Sequence, residues 1–134
     1  MVKLICDFSF GSHYVENFYS DENRESAEII NYAITPHLEG KNILIIPDII
    51  TKQLNDVFKD RELVLSTLYD LADTPPLVSS DVVDTLIKIA SILKISDEKT
   101  FIVTDDSYVK NRIKLQGDNI NVITIKEALD FLRK

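Results

Sequence analysis

VKLICD at residues 2–7, ILIIPD at 43–48 and TFIVTDD at 100–106 decide the fold. Each is a short, mostly apolar run that closes on an aspartate within two residues. Such a run is the pattern of a strand buried on both faces, since a half-exposed strand would alternate apolar with polar residues. The strands are read over 2–6, 43–46 and 100–104. A fourth, NVIT at 121–124, follows the same pattern without the acid. Between these runs apolar residues recur every three or four positions. Ala27, Ile30, Ile34 and Leu38 mark a helix over 22–38, which Pro36 is expected to end or kink near Thr35, because proline lacks the N–H and crowds the preceding turn. Ile50, Leu54, Val57 and Phe58 mark a helix over 48–58, and a second follows over about 61–72. Val82, Val83, Leu86, Ala90 and Leu93 share one face over 80–93. Helices over 107–115 and 126–133 complete the series, and 12–20 reads as a short helix or an irregular connection. Leu77 and Val78, after the break at Thr74, Pro75 and Pro76, read as a short strand or a loop.

Short apolar strands alternating with helices pair in parallel through right-handed crossovers. The expected architecture is an α/β/α sandwich of three layers around a mostly parallel sheet of four or five strands. No repeat, low-complexity tract or Pro/Gly/Ser linker divides the chain, so residues 1–134 read as a single domain. In sheets of this kind ligands bind beyond the carboxyl ends of the strands. That is where the aspartates stand.

Composition narrows the function. Of 134 residues 45% are hydrophobic and 28% charged, a globular balance and not a disordered one. Acids outnumber bases 22 to 15, for a formal charge of -7. Such a chain is a poor general binder of nucleic-acid backbones, although a local basic patch remains compatible with it. One cysteine, Cys6, leaves no internal disulfide and no cysteine-rich zinc site, and is expected in a reducing, cytoplasmic setting. No apolar run approaches the ~20 residues of a membrane span, and the opening MVKLICDF lacks a signal-peptide stretch, so no membrane partner is expected.

Asp7 follows the first strand, Asp48 the second, and Asp105 and Asp106 the third; Asp81 and Asp84 open the helix before the third strand. Acids gathered at one sheet edge repel each other unless a cation joins them, and hard oxygen ligands favour Mg²⁺ or Mn²⁺. Such ions activate water and stabilise charge on a phosphodiester oxygen. An aspartate at a helix start also caps free N–H groups, for about 0.5–2 kcal/mol. Capping accounts for Asp48, and for Asp81 and Asp84 both readings stand. Asp7 is distinct, because it ends a buried strand and runs into Phe8-Ser9-Phe10-Gly11.

Five pieces, in order, resemble the PIN domain, the fold of the VapC toxins and of several RNA-processing nucleases. Ile5-Cys6-Asp7-Phe8-Ser9 resembles its opening strand with an Asp-x-Ser/Thr signature. Residues 45–54, from Ile45 through Pro47-Asp48 to Leu54, resemble its second strand and helix. Asp84-Thr85-Leu86-Ile87 resembles the acid that opens the next helix. Phe101-Ile102-Val103-Thr104-Asp105-Asp106 resembles its third strand end, and Val122-Ile123-Thr124 with Lys126-Glu127-Ala128 its last strand and helix. The resemblance implies a Mg²⁺- or Mn²⁺-dependent ribonuclease with Asp7, Asp84 and Asp106 as metal-binding carboxylates. Asp81 is the alternative to Asp84, and Asp105 replaces or assists Asp106. Ser9 and Thr104 would position these groups by hydrogen bonds. RNA is the implied substrate; a protein partner such as an antitoxin, and a homodimer, are further expectations.

The sequence departs from the family at Gln53, before Leu54, where a Glu is usual. Gln offers a carbonyl oxygen but no charge. On a helical wheel Gln53 falls inside the arc from Ile49 through Ile50, Leu54, Val57 and Phe58, so it needs a partner or a cleft. This departure supports the second expectation, a degenerate PIN-like domain that binds RNA or a protein without cutting. Lys110 and Lys114, with Arg112 between them, follow the acidic pair; Lys110 and Lys114 are i,i+4 neighbours suited to a phosphate backbone or to a solvated helix face. His13 and His37 read as surface or loop residues, and Cys6 as a buried strand residue without a His partner. Three glycines make no phosphate-cradling loop. A receiver domain is the rival fold, but it wants its acidic pair after the first strand, and here the pair comes late.

Overall fold

The computed structural model describes residues 2–76, 79–95, 99–117 and 119–134. Its centre is β1 (Val2–Cys6), paired in parallel with β2 (Leu44–Ile45) on one side and β4 (Lys99–Val103) on the other. Outside these lie β3 (Ala72–Asp73) and β5 (Val122–Ile123), also parallel, which gives the order β3-β2-β1-β4-β5. This order differs from the 2-1-3-4-5 of receiver domains, and so removes that rival. From β1 the chain winds outward through β2 and β3, then returns to the opposite side of β1 to lay down β4 and β5. The direction therefore reverses between β1 and β4, and the crevice beyond their carboxyl ends is the place such sheets reserve for ligands.

Both faces of the sheet are covered, as the continuous apolar runs require. Leu4, Cys6, Leu44 and Val103 point into a core shared with α1 (Phe8–Glu16), α2 (Glu25–Leu38), α3 (Asp48–Val57), α4 (Glu62–Asp70) and α7 (Ile125–Leu132). Ile5, Ile45 and Ile102 point the other way, against α5 (Val82–Lys94) and α6 (Ser107–Gln116). The period of two along each strand thus feeds two separate cores, one per layer.

Four local expectations are corrected. The connection after β1 is helical from Phe8, because the Asp7 side chain accepts from Phe10 N and caps α1 at once. Helix α2 starts at Glu25 and runs through Pro36 to Leu38. Pro36 falls in the last turn, where Gly40 at φ +78° donates to His37 O and Lys41 N to Pro36 O, a Schellman closure that satisfies the free carbonyls. The fifth strand is Ala72–Asp73, at residues read as a helix end, while Leu77 and Val78 lie outside the described residues. His13 and His37 sit within α1 and α2, and their Nδ1 atoms meet Ser26 Oγ at 2.7 Å and Asn42 Oδ1 at 2.8 Å. No helix among the described residues is long and apolar enough to cross a membrane.

Candidate active site

The register that pairs Cys6 with Val103 sets Asp7 beside Thr104 at the point of reversal. Asp7 is buried, at 2% exposure. One carboxylate oxygen, Oδ1, accepts from Ser9 Oγ at 2.6 Å and from Phe10 N at 3.3 Å. The other, Oδ2, accepts from the hydroxyl of Thr104. Those hydroxyls are in turn acceptors: Ser9 Oγ from Asp105 N at 2.9 Å, Thr104 Oγ1 from Asp106 N at 3.0 Å. A closed network therefore ties the end of β1, the first turn of α1 and the loop after β4 to one carboxylate. The sequence expectation for Ser9 and Thr104 as positioning residues has this geometry.

Burial pushes the Asp7 carboxyl above the ordinary value; its hydrogen bonds to Ser9, Thr104 and Phe10 N pull it down, and the Asp106 charge pushes it up. No Lys or Arg among the described residues pairs with Asp7. Burial likewise raises the neighbouring Cys6 thiol, the wrong direction for a nucleophile.

Asp106 caps α6, accepting through Oδ1 from Tyr108 N at 2.9 Å and Val109 N at 3.4 Å. It also lines a cleft of about 650 Å³. Phe8, Val82, Val83 and Val109 are among the apolar members of the cleft wall, and Gln53, Asp56, Ser80, Asp81 and Arg112 are polar members beside Asp106. Asp81 caps α5 through Asp84 N and faces Arg112 across the cleft. Asp84 lies outside the lining: its carboxylate pairs with Lys88 at 3.0 Å, and that bond, then Ser79, holds it below the ordinary value. Asp105 also points away, accepting from Ile125 N at 2.9 Å and so joining β4 to the start of α7.

Gln53 is exposed, not buried in an apolar arc. The buried side of α3 is only Ile50, Thr51 and Leu54, and Gln53 flanks it on the open side. Lys110 and Lys114 are absent from the cleft lining. Among the charged lining residues, Asp56 has no role in the sequence reading, and Arg112 enters it only as the residue between Lys110 and Lys114. Asp56 stands three residues after Gln53 on the same helical face, and Arg112 stands four after Tyr108, so both had readable spacing.

Asp7 itself lies outside the cleft lining, and both its oxygens already accept hydrogen bonds from the protein; Asp106 is the acid that charges its surroundings. Among the described residues no three His, Cys, Asp or Glu side chains are gathered as a ready cage. Asp7 and Asp106, joined through Thr104, nonetheless fit the manner in which Mg²⁺ is commonly held, by one or two carboxylates with water and substrate phosphate completing the shell. Comparison with known protein families, characterised proteins and solved structures gives no match. The functional reading therefore stands on this chain's own residues.

Proposed function

We propose that this chain is a Mg²⁺- or Mn²⁺-dependent ribonuclease of the PIN type. One observation carries the reading: Asp7 is a buried carboxylate at the reversal point of the sheet, and among the described residues the charge that acts on it is another acid, Asp106. A pair of acids arranged this way favours a cation between them. Asp7 and Asp106 would hold the ion, which when bound supplies an activated water for in-line attack and stabilises charge on the leaving oxygen. Ser9 and Thr104 hold the Asp7 oxygens in place, and Phe8, Val82 and Val83 make a partly apolar wall that limits water around the scissile phosphate. Gln53 offers an amide to the sugar or phosphate oxygens. RNA as substrate, an antitoxin-like protein partner, a homodimer and a cytoplasmic setting belong to the same proposal. Incubation of single-stranded and structured RNAs with Mn²⁺ tests it, with chelator as the control.

A second reading has its own observation. Gln53 removes one charge from the cleft, and Arg112 engages both oxygens of Asp81. A domain that grips RNA without cutting it would look like this. RNA binding without cleavage in any divalent ion would favour this reading.

Gln53→Glu probes the choice. The added carboxylate joins Asp56, Asp81 and Asp106 in the cleft lining. In chelator the variant is expected to lose no more than about 0.5 kcal/mol of stability and so to melt slightly lower, because the site is exposed. In Mn²⁺ its melting temperature should rise further than the wild type's, since ion binding to the folded state adds stability by mass action. Identical melting in both conditions would show that Gln53 is an ordinary surface residue.

A further inference from the structure

Arg112 reaches into the cleft from α6 and meets Asp81 as a fork, Nη2 donating to Oδ2 at 3.2 Å and Nη1 to Oδ1 at 3.4 Å. Its guanidinium carbon lies 5.8 Å from the centroid of the Tyr108 ring, one turn back on the same helix. The two paired side chains are 29% and 43% exposed, so an incoming ligand can reach them. A part-exposed ion pair adds little to folding, which leaves this one free to be exchanged. The guanidinium fork matches phosphate as well as carboxylate. Among the described residues Arg112 is the only cation in the cleft lining, whose other charged members are Asp56, Asp81 and Asp106, on a chain of net charge -7.

We propose, on the ribonuclease reading, that Arg112 is the anchor for an RNA backbone phosphate and that Asp81 holds it in reserve. A phosphate of the incoming strand takes the place of Asp81 on the guanidinium. The freed Asp81 carboxylate is then left in the cleft lining with Asp56 and Asp106, where a dication can share them. No bond is made or broken in the exchange; one anion replaces another on Arg112. RNA and dication therefore bind with mutual reinforcement, as linkage requires of two ligands that favour the same open pair.

The test uses the full chain and a fluorescein-labelled single-stranded RNA, with binding followed by anisotropy in EDTA, where cleavage and cation bridging are both absent. Arg112→Gln is expected to weaken binding fivefold or more, and Arg112→Lys less, because an ammonium keeps the charge but loses the fork. Asp81→Asn keeps a good N-cap on α5 and is expected to strengthen binding threefold or more by releasing Arg112. Without RNA, Arg112→Gln should show a larger Mn²⁺-induced rise in melting temperature than the wild type, since Asp81 is then free. Equal affinities for wild type, Arg112→Gln and Asp81→Asn overturn the anchor, as does absence of binding by both wild type and Asp81→Asn. Should Arg112→Gln fail to fold, unchanged affinity in Asp81→Asn overturns it alone. Cleavage of RNA by the wild type in Mn²⁺ is scored separately, so loss of the anchor with cleavage intact leaves the nuclease reading standing. Arg112-dependent binding without cleavage does the reverse.

Discussion

Asp7→Asn is expected to abolish RNA cleavage, by about a hundredfold or more, the scale of removing one preorganised electrostatic group, while the protein stays folded and becomes more stable at neutral pH. The amide can keep the network: its oxygen accepts from Ser9 and Phe10 N, its nitrogen donates to Thr104 Oγ1, and the displaced Thr104 proton has Ser9 Oγ at 3.4 Å to turn to. What the variant loses is a desolvated charge facing Asp106. The sign of the pH dependence follows from the raised carboxyl. The folded chain takes up the Asp7 proton more readily than the unfolded chain, so this group favours folding at acid pH. Its contribution is lost as pH climbs from the ordinary carboxylate range through the raised value. Asparagine does not titrate, so the gap in melting temperature between variant and wild type should widen over that window and then level off. Melting curves from pH 4 to 8 for the two proteins measure it. An Asn variant less stable than wild type at pH 7 would show that the lost hydrogen bonds outweigh desolvation.

The largest stability effect is expected at Gly11. An ideal Cβ there would stand 2.5 Å from Leu54 Cδ1 and 2.7 Å from Cδ2, and Leu54 is fully buried. Gly11→Val overpacks this junction at a cost of about 3 kcal/mol, more than the small gain in helix propensity over glycine returns. The melting temperature should drop by about 10 °C. Leu54→Ala alone leaves a cavity and is also destabilising, but the two changes together should cost less than their sum, because each relieves the other. Additive losses would show that the clash is absorbed elsewhere. The junction matters to the site, since α1 carries Ser9 and α3 carries Gln53 and Asp56. Gly11→Val should therefore also lower the Mn²⁺-induced rise in melting temperature.

The central strands could be read from the sequence because LIC and FIV are unbroken apolar runs, and only a two-faced strand needs them. The edge was not legible. Ala72–Asp73 is two residues long, held by its ladder to β2, and neither residue carries a strand signal. Pro36 misled for a different reason: its penalty applies inside a helix, and the closing turn around Gly40 makes the position nearly terminal. In the site, Asp7 was legible because it sits at a strand end, where topology decides its place, while Ser9 and Thr104 came only with the family resemblance. Asp81 and Asp84 could not be separated by sequence, since both open α5. The structure gives Asp84 to Lys88, a spacing of four that was available, and Asp81 to Arg112, a partner on another helix that no local pattern announces. Gln53 was misjudged because the wheel assumes a wide apolar arc, whereas α3 buries a narrower one.

The pairing of β1 with β4 carries a consequence for how the protein is made. The hydrogen bond from Thr104 to Asp7 spans 97 positions of sequence. Closing so long a loop is entropically costly, and contacts of this range form late in folding. A chain still on the ribosome with only its first half emerged has Asp7 in water, hydrated as an ordinary surface carboxylate. Ser9 is then its only hydroxyl donor of the pair. The desolvation and the second hydroxyl arrive together when β4 inserts beside β1. The carboxylate network around Asp7 is thus completed in one late step, and a partly folded chain lacks it.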